Sequence, residues 1–295
     1  MATKSDTLIA LAGVDFSAVS ADELKTVYKE ILQAGLHGIC FSPYLEGQQP
    51  GTIISDAQVR KRMNIIKPYT KWIRTFSCTD GNEAIPCIAH EAGLKTLVGA
   101  WLGKDRRKNE KEIENLINIG KAGHADILAV GNEVMYRKDL SEDELLDYMQ
   151  YVKAALPDIP MGYVDAYYEF SKRPRITDAC DVILANCYPF WEGCSNEYSL
   201  LYMKDMYYRA VIAGNGKNVI ITETGWPNKG TAFGDSAPTN ENAIKYFINT
   251  NKWATEENIE MFYFSSFDEP WKTGDEGDVG AYWGIWDKDG RLKFD

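Results

Sequence analysis

Two glutamates each stand directly after an apolar run of the chain. Glu133 follows ILAVGN and Glu223 follows VIIT, and the Gly and Pro at positions 225 and 227 cannot extend the strand that VIIT predicts. A carboxylate at the end of a buried strand costs free energy unless it is paired or used. Two such carboxylates on either side of a substrate suit cleavage of a glycosidic bond, in which one protonates the leaving oxygen and the other meets the anomeric carbon. One of the pair then needs a raised pKa, from burial or from its neighbour's charge.

A structural explanation competes with this one. A glutamate at a strand end can also pair with a neighbouring arginine or lysine, or cap the next helix. Either explanation fits one glutamate alone, whereas two of them, each with aromatic residues beside it, favour catalysis.

Nine apolar runs predict strands, at 8–14, 37–44, 71–78, 94–101, 126–134, 161–168, 181–188, 218–226 and 260–270. Helical patterns lie between them, and three of these close on an Ala-Gly pair just before a strand, at 34–35, 92–93 and 122–123. Strands that are apolar throughout, in series with helices, predict a parallel sheet covered on both faces. The length of 295 residues fits a single-domain (β/α)8 TIM barrel, an α/β fold, with a doubly wound sheet as the alternative.

A barrel of eight strands leaves the run 8–14 to cap the floor or to add a pairing. We therefore divide the chain into an N-terminal extension packed on the barrel, residues 1–36, and a catalytic barrel, residues 37–295. Helices are predicted to start at Ser20 and, through a capping box with Glu144, at Ser141. Asp289-Gly290 between two apolar runs predicts a hairpin.

The chemistry of such a barrel sits at the carboxyl ends of its strands. Glu133 and Glu223 end the fourth and seventh of eight strands, which face each other across a closed barrel. Flat rings in the following loops can stack on sugar faces, and fixed polar groups can hold the hydroxyls. Packing is the alternative for each ring. The rings are Tyr44, Trp101, Trp191, Trp226, Trp271, Trp283 and Trp286, and the polar candidates are Arg74, Asn132, Asp165, Glu192, Glu269 and Lys272.

The sequence offers little support for other catalytic mechanisms or for other kinds of partner. The three histidines precede strands or lie in helical patterns, which removes Ser-His-Asp triads and most zinc sites, and we predict no metal and no other cofactor. A net charge of −11 argues against nucleic acid as a partner. No run of eighteen apolar residues predicts a membrane span, and the first residues do not match a secretion signal. Six cysteines in a chain this long predict small core residues rather than a disulfide framework.

At these residues the chain resembles glycoside hydrolase family 17. VIITETGWPNKG matches the family's apolar run followed by Ser/Thr-Glu-x-Gly-Trp-Pro, and LAVGNEV matches its apolar-Val-Gly-Asn-Glu. ICFSPY, WIRTFSC and FDEPWK resemble further strand-end segments, so the resemblance spans residues 37 to 293.

This resemblance implies a retaining enzyme that acts on β-1,3-glucan, secreted or in the cell wall. Glu133 would be the acid/base and Glu223 the nucleophile. Asn132 would hold the 2-hydroxyl of the sugar in the −1 subsite, and Tyr188 would lie beside the nucleophile. Glu269 and Lys272 would support the acid/base by charge and hydrogen bonding.

This sequence differs from the plant members of the family, which carry an extra subdomain after the sixth strand. Here a single helical pattern fills most of the gap between Tyr188 and Glu223, so the cleft should be shorter. Short fungal members tend to be glucanosyltransferases, and we predict transfer with some hydrolysis. Tyr136, Trp191 and Glu192 are the candidate acceptor contacts, and we expect a monomer.

Three rivals stay open at this point. The first is a purely hydrolytic enzyme, or one acting on β-1,4 or β-1,6 links. The second is a catalytically silent glucan-binding barrel, although neither carboxylate is lost. The third is a phosphate-using barrel isomerase, which would need glycine-rich ends on the last two strands instead of TETGWP and FDEPWK.

Overall fold

Eight parallel strands close into a barrel in the order in which they occur along the chain. The computed structural model describes residues 13–274 and 276–295. The strands are β1 Leu36–Cys40, β2 Thr70–Arg74, β3 Lys95–Ala100, β4 Ile127–Asn132, β5 Met161–Ala166, β6 Ile183–Asn186, β7 Val219–Thr224 and β8 Met261–Tyr263. All residues of β4 and β7 are buried, as expected of strands with a filled lumen inside and helices outside. The predicted TIM barrel is confirmed.

Ten α-helices occur in the described ranges, and the longer ones cover the barrel. They are α1 Ala21–Ala34, α2 Asp56–Ile66, α3 Ile85–Glu91, α4 Arg106–Lys121, α5 Val134–Arg137, α6 Glu142–Ala155, α7 Glu169–Lys172, α8 Pro174–Ala179, α9 Ser199–Gly214 and α10 Asn240–Glu256. Short 3-10 helices lie at Lys67–Tyr69, Asn82–Ala84, Pro189–Glu192, Asn196–Tyr198 and Gly277–Tyr282.

Local sequence signals place several of these boundaries. The hydroxyls of Ser20 and Ser141 accept the backbone N–H of the residue three positions on, and the returning glutamates complete both capping boxes. The glycines that close α1, α3 and α4 have φ of 89°, 82° and 78°, the left-handed region in which a side chain would be strained.

The N-terminal helix packs on the outside of the barrel. The Tyr28 ring of α1 lies 4.5 Å from the ring of Phe247 on α10 and 5.3 Å from that of Phe294 near the C-terminus. Ahead of α1, the Val14 N–H donates to Asn249 at 2.9 Å. Of the run 8–14, residues 8–12 lie outside the described part, and Gly13 and Val14 are not in a strand.

The C-terminal segment folds back as the sequence predicts. Trp286 and Leu292 form an antiparallel bridge, and Gly290 between them has a φ of 87°.

The six cysteines are free, and five are buried. Within residues 13–274 and 276–295, no helix combines the length and the apolar character that crossing a bilayer requires.

Trp226 is a core residue, contrary to its predicted role as a sugar contact. Its side chain is 2% exposed, its indole N–H donates to the Ala237 carbonyl at 3.0 Å, and its ring lies 5.2 Å from Phe190 and 5.4 Å from Tyr246. The preceding Gly225 runs so close to β8 that a Cβ there would stand 2.2 Å from the Phe264 carbonyl oxygen. Gly225 and Trp226 of the motif therefore pack the end of β7 against the segment that follows β8 and against the aromatic core.

The position of Trp226 predicts a large effect on stability. Trp226→Ala is expected to lower the free energy of unfolding by about 3–5 kcal/mol, because a large buried ring is lost. Trp101→Ala is the matched control, since Trp101 is 41% exposed, and it should cost about 1 kcal/mol or less. Urea denaturation followed by circular dichroism measures both, and equal losses would contradict the core assignment.

Candidate active site

Glu133 stands where β4 turns abruptly into a helix. Its backbone is left-handed, with φ 52° and ψ 29°, and its N–H donates to the Val164 carbonyl of β5 at 2.7 Å. The next residue begins α5, so the chain leaves the sheet at this point. The side chain is partly exposed, and its Oε1 accepts the Asn186 amide at 2.9 Å. Glu133 therefore lies at the carboxyl end of the barrel, where the sequence predicts the site.

Glu223 is buried and receives donors on both oxygens. Arg74 donates to its Oε1 at 2.6 Å, and the Tyr188 hydroxyl donates to its Oε2 at 2.7 Å. The Asn186 amide also donates to Oε1, at 3.1 Å. These donors and the guanidinium charge stabilise the carboxylate form of Glu223. The predicted neighbourhood of Tyr188 and Glu223 is present in the structure.

One amide nitrogen touches both glutamates. Asn186 Nδ2 lies 2.9 Å from Glu133 Oε1 and 3.1 Å from Glu223 Oε1. Since two sides of a triangle limit the third, these two oxygens are at most about 6 Å apart, which is shorter than the separation of roughly 6.5–9.5 Å found in inverting glycosidases. The carboxylates of β4 and β7 thus face one space across the barrel mouth.

Irregular strand pairing allows this convergence. Register shifts occur between Ala129 and Asn132, between Ala185 and Asn186, and between Ile221 and Thr224. A shift of this kind re-aims side chains that regular alternation would send to opposite faces. As a result, consecutive Thr222 and Glu223 both make hydrogen bonds to Asn186.

Arg74 organises the inner floor of the site. Its guanidinium is buried, donates to Asn132 Oδ1 at 2.6 Å, and lies 4.2 Å from the centre of the Phe76 ring. With the 2.6 Å ion pair to Glu223, it fixes residues from β2, β4 and β7 relative to one another. The predicted polar contacts Arg74 and Asn132 therefore stand directly beside the two carboxylates.

The two glutamates differ electrostatically. Burial, followed by the negative charge of Glu223, raises the pKa of Glu133 to about 7, although the Asn186 amide works in the opposite direction. Glu223 has a cation and a phenol among its donors, while Glu133 has the shared amide. With a pKa of about 7, Glu133 can hold a proton near neutral pH.

Asp165 does not face the cleft, although it was predicted to bind substrate. It is 0% exposed, and its oxygens accept the Tyr163 hydroxyl, the Ala166 N–H at 2.8 Å and the Tyr136 N–H at 3.3 Å. Burial raises its pKa to about 6. The end of β5 lies under α5 here, so Asp165 ties that helix to the sheet.

Glu269 and Lys272 lie on the Glu223 side of the barrel. Glu269 accepts the Ser42 hydroxyl at 2.6 Å, and the Lys272 amine pairs with Glu276 at 2.9 Å. Among the described contacts neither reaches Glu133, so the support that the resemblance implied for the acid/base is not present. The reason is topological, because the segment after β8 adjoins β7 and β1 and not β4.

Of the remaining predicted contacts, Trp283 and Trp286 are buried core residues, and the others are partly or fully exposed. Tyr44 is half-buried with its ring 5.9 Å from that of Trp271. Tyr136 is 57% exposed on α5. The partly exposed Trp191 ring packs 5.0 Å from Phe190 and 5.9 Å from Trp283, and the exposed Glu192 accepts the Tyr167 hydroxyl at 3.4 Å.

Sequence reasoning gave no role to Asn186 and did not single out Thr222. Asn186 was recognisable as a polar residue at the end of the sixth strand. Thr222 carried no signal, because alternation along a strand places neighbours of Glu223 on the opposite face. Among the described residues, no group of three or more His, Cys, Asp or Glu side chains is arranged to hold a metal ion.

Comparisons with known proteins agree with the barrel fold. The crystal structure of the glycoside hydrolase family 17 beta-1,3-glucanosyltransferase from Rhizomucor miehei aligns with a TM-score of 0.78 and 30% identity, covering 88% of this chain and 96% of that one. A glucan 1,3-beta-glucosidase of Candida albicans is 28% identical over 262 residues, 79% of this chain and 83% of the relative. The glucan endo-1,3-beta-glucosidase btgC of Emericella nidulans is 25% identical over 273 residues, 81% of this chain and 42% of that longer relative.

The family model of the BtgE/BtgC glycoside hydrolase domain matches residues 38–284, most of the chain. The resemblance to glycoside hydrolase family 17 that the motifs indicated is thereby confirmed, and this chain belongs to the BtgE/BtgC glycoside hydrolase family.

Proposed function

We propose that this chain is a retaining β-1,3-glucan glucanosyltransferase with some endo-β-1,3-glucanase activity. The observation that carries the proposal is the single Asn186 nitrogen within hydrogen-bond distance of Glu133 and Glu223. A spacing this short supports direct attack by one carboxylate, because inverting glycosidases hold their two carboxyl groups further apart to admit a water.

The roles follow from the electrostatic difference between the glutamates. Glu223, held as an anion by Arg74, attacks the anomeric carbon while the glycosidic C–O bond breaks. Glu133 gives its proton to the leaving oxygen, and a covalent glucosyl-enzyme remains. Anionic Glu133 then removes a proton from an acceptor hydroxyl, whose oxygen attacks the anomeric carbon and releases Glu223. Asn132, held by Arg74, is proposed to bind the 2-hydroxyl of the same sugar.

The glucan substrate is supported by the relatives. An active-site mutant of the Rhizomucor miehei β-1,3-glucanosyltransferase, which aligns with this chain at the same TM-score of 0.78, was solved in complex with laminaritriose. We propose β-1,3-glucan oligosaccharides as donor and acceptor, with Tyr44 contacting sugar at the rim. A polymeric glucan would place the enzyme outside the cell or in the wall, and this location stays a prediction.

Transfer needs an acceptor sugar that outcompetes water. Trp191 offers a ring that packs against Phe190 and Trp283, its chain neighbour Glu192 is exposed, and Tyr136 is exposed on α5. We propose these three as the acceptor contacts. Pure hydrolysis is the second candidate, because several similar proteins are named glucosidases.

Products from short β-1,3-glucan oligomers test the proposal. Incubation with laminaripentaose is expected to yield oligomers longer than the starting sugar at early times, because the glucosyl-enzyme is passed to a second oligomer. Glu223→Gln should abolish both longer and shorter products. Mass spectrometry of a time course gives the answer, and exclusively shorter products would establish hydrolysis instead.

The two carboxylates can be told apart by azide. In Glu133→Ala, an activated glycoside forms the covalent intermediate without a proton, and azide is expected to yield the β-glycosyl azide. In Glu223→Ala, any azide product should be the α-anomer. Proton NMR of the anomeric signal distinguishes them, and an α product from Glu133→Ala would reverse the assignment.

The pKa of Glu133 predicts a pH limit. Because the acid must be protonated and its pKa is about 7, kcat/KM on an oligosaccharide should be full below pH 7 and fall as pH rises through it. An activated donor that needs no proton should lack this limb. A profile that is flat from pH 6 to pH 8 on the oligosaccharide would contradict the role of Glu133.

The acceptor contacts predict a selective defect. Trp191→Ala is expected to lower the ratio of transfer to hydrolysis severalfold, since the acceptor loses its stacking surface while the donor side is intact. Tyr151→Ala is the matched control, because Tyr151 is an exposed ring on α6, outside the barrel. An unchanged product ratio in Trp191→Ala would refute this contact.

A further inference from the structure

Both polar atoms of the Asn186 side-chain amide make hydrogen bonds inside the barrel. Its Oδ1 accepts the Thr222 hydroxyl at 2.9 Å, and its nitrogen donates to Glu133 and to Glu223 at 2.9 and 3.1 Å. A flipped amide would point Oδ1 at two carboxyl oxygens, which would repel it when either is charged. The observed orientation therefore satisfies all three neighbours at once.

Thr222 is placed to enforce this orientation. Its side chain is buried, and in the described structure its hydroxyl donates to Asn186. Without that hydroxyl, Asn186 Oδ1 would be buried with no donor, and the present orientation would lose its advantage. The register shift between Ile221 and Thr224 is what brings this side chain to the same interior as Glu223.

We propose that Thr222 is a positioning residue that orients the Asn186 amide, and that this amide donates one N–H to each carboxylate during turnover and so stabilises whichever of the two is charged. The inference rests on the proposed function. In the first step Glu223 gives up its charge on forming the ester and Glu133 becomes anionic on losing its proton. Arg74 and Tyr188 serve Glu223, whereas Asn186 has one N–H for each glutamate.

Of the other charged groups near Glu133, Asp165 and Arg137 are held by partners other than Thr222 and Asn186. Glu223 faces Glu133 from β7, Asp165 from β5 and Arg137 from α5. Asp165 is held by Tyr163 and by backbone N–H groups. The Arg137 guanidinium donates to Asp139 at 2.7 Å and to the Leu102 carbonyl at 3.0 Å. A change at position 222 therefore reaches Glu133 through Asn186.

The test compares three variants with the parent protein. Thr222→Val removes the hydroxyl at nearly constant volume, and Thr222→Ser restores it. Thr224→Val is the matched control on the same strand, because the Thr224 hydroxyl bonds to Tyr246, outside the lumen. Substrate-free protein labelled with 13C-glutamate is titrated by NMR, with the Glu133 signal assigned from Glu133→Gln, and kcat/KM is measured against pH.

Thr222→Val should raise the Glu133 titration midpoint by about one pH unit, since an N–H that favours its carboxylate is lost, and should lower kcat about tenfold. The basic limb of kcat/KM should move upward equally. Thr222→Ser should return the Glu133 midpoint to that of the parent and kcat to within twofold of the parent value, and Thr224→Val should leave the midpoint in place. An unmoved midpoint in Thr222→Val, or an equal shift in Thr224→Val, would overturn the proposal.

The two hypotheses fail separately. If the midpoint moves as expected but the parent protein acts on no β-1,3-glucan, the orienting role stands and the proposed function falls. If the parent elongates glucan oligomers and the Thr222→Val midpoint is unchanged, the function stands and this inference falls.

Discussion

The ion pair of Arg74 and Glu223 is the interaction on which the site depends. The two side chains meet at 2.6 Å, with 1% and 7% of their side-chain surface exposed. Removing both charges from water costs several kcal/mol per ion, and a pair repays that cost only when further hydrogen bonds satisfy it. Asn132 at the end of β4, and Asn186 and Tyr188 at the end of β6, supply these bonds. The Arg74–Glu223 pair thus connects residues of β2, β4, β6 and β7 in one hydrogen-bonded polar layer at the carboxyl end of the barrel.

From that layer follows the difference between the two carboxylates. Glu223 has the Arg74 cation beside it, and the negative charge of Glu223 contributes, after burial, to the raised pKa of Glu133. In the proposed mechanism, this common network prepares Glu223 as the nucleophile and Glu133 as the acid. Removing Arg74 would leave Glu223 buried without its cation, so stability and catalysis depend on the same contact.

Buried carboxylates other than the proposed catalytic pair hold the loops around that pair. Asp165 accepts the Tyr136 N–H and ties α5 to the end of β5. Glu112 of α4 accepts the N–H groups of Cys78 and Trp101, at 2.7 and 3.1 Å, and so joins the loops after β2 and β3. Loops that carry sugar contacts need such support, because a site displaced by an ångström loses much of its rate.

Local sequence determined the barrel, its eight strands and its two glutamates, because helix caps, glycine stops and apolar runs act over a few residues. It also indicated that Arg74, Asn132 and Tyr188 belong to the site, since each ends a parallel strand. Only the tertiary structure decided which side of the chain each residue presents. Trp226 and Asp165 are buried in the core. Glu269 and Lys272 lie on the Glu223 side of the barrel. Register shifts place Thr222 and Asn186 beside the two carboxylates. Those outcomes depend on how neighbouring strands pair, and that pairing joins residues far apart in sequence.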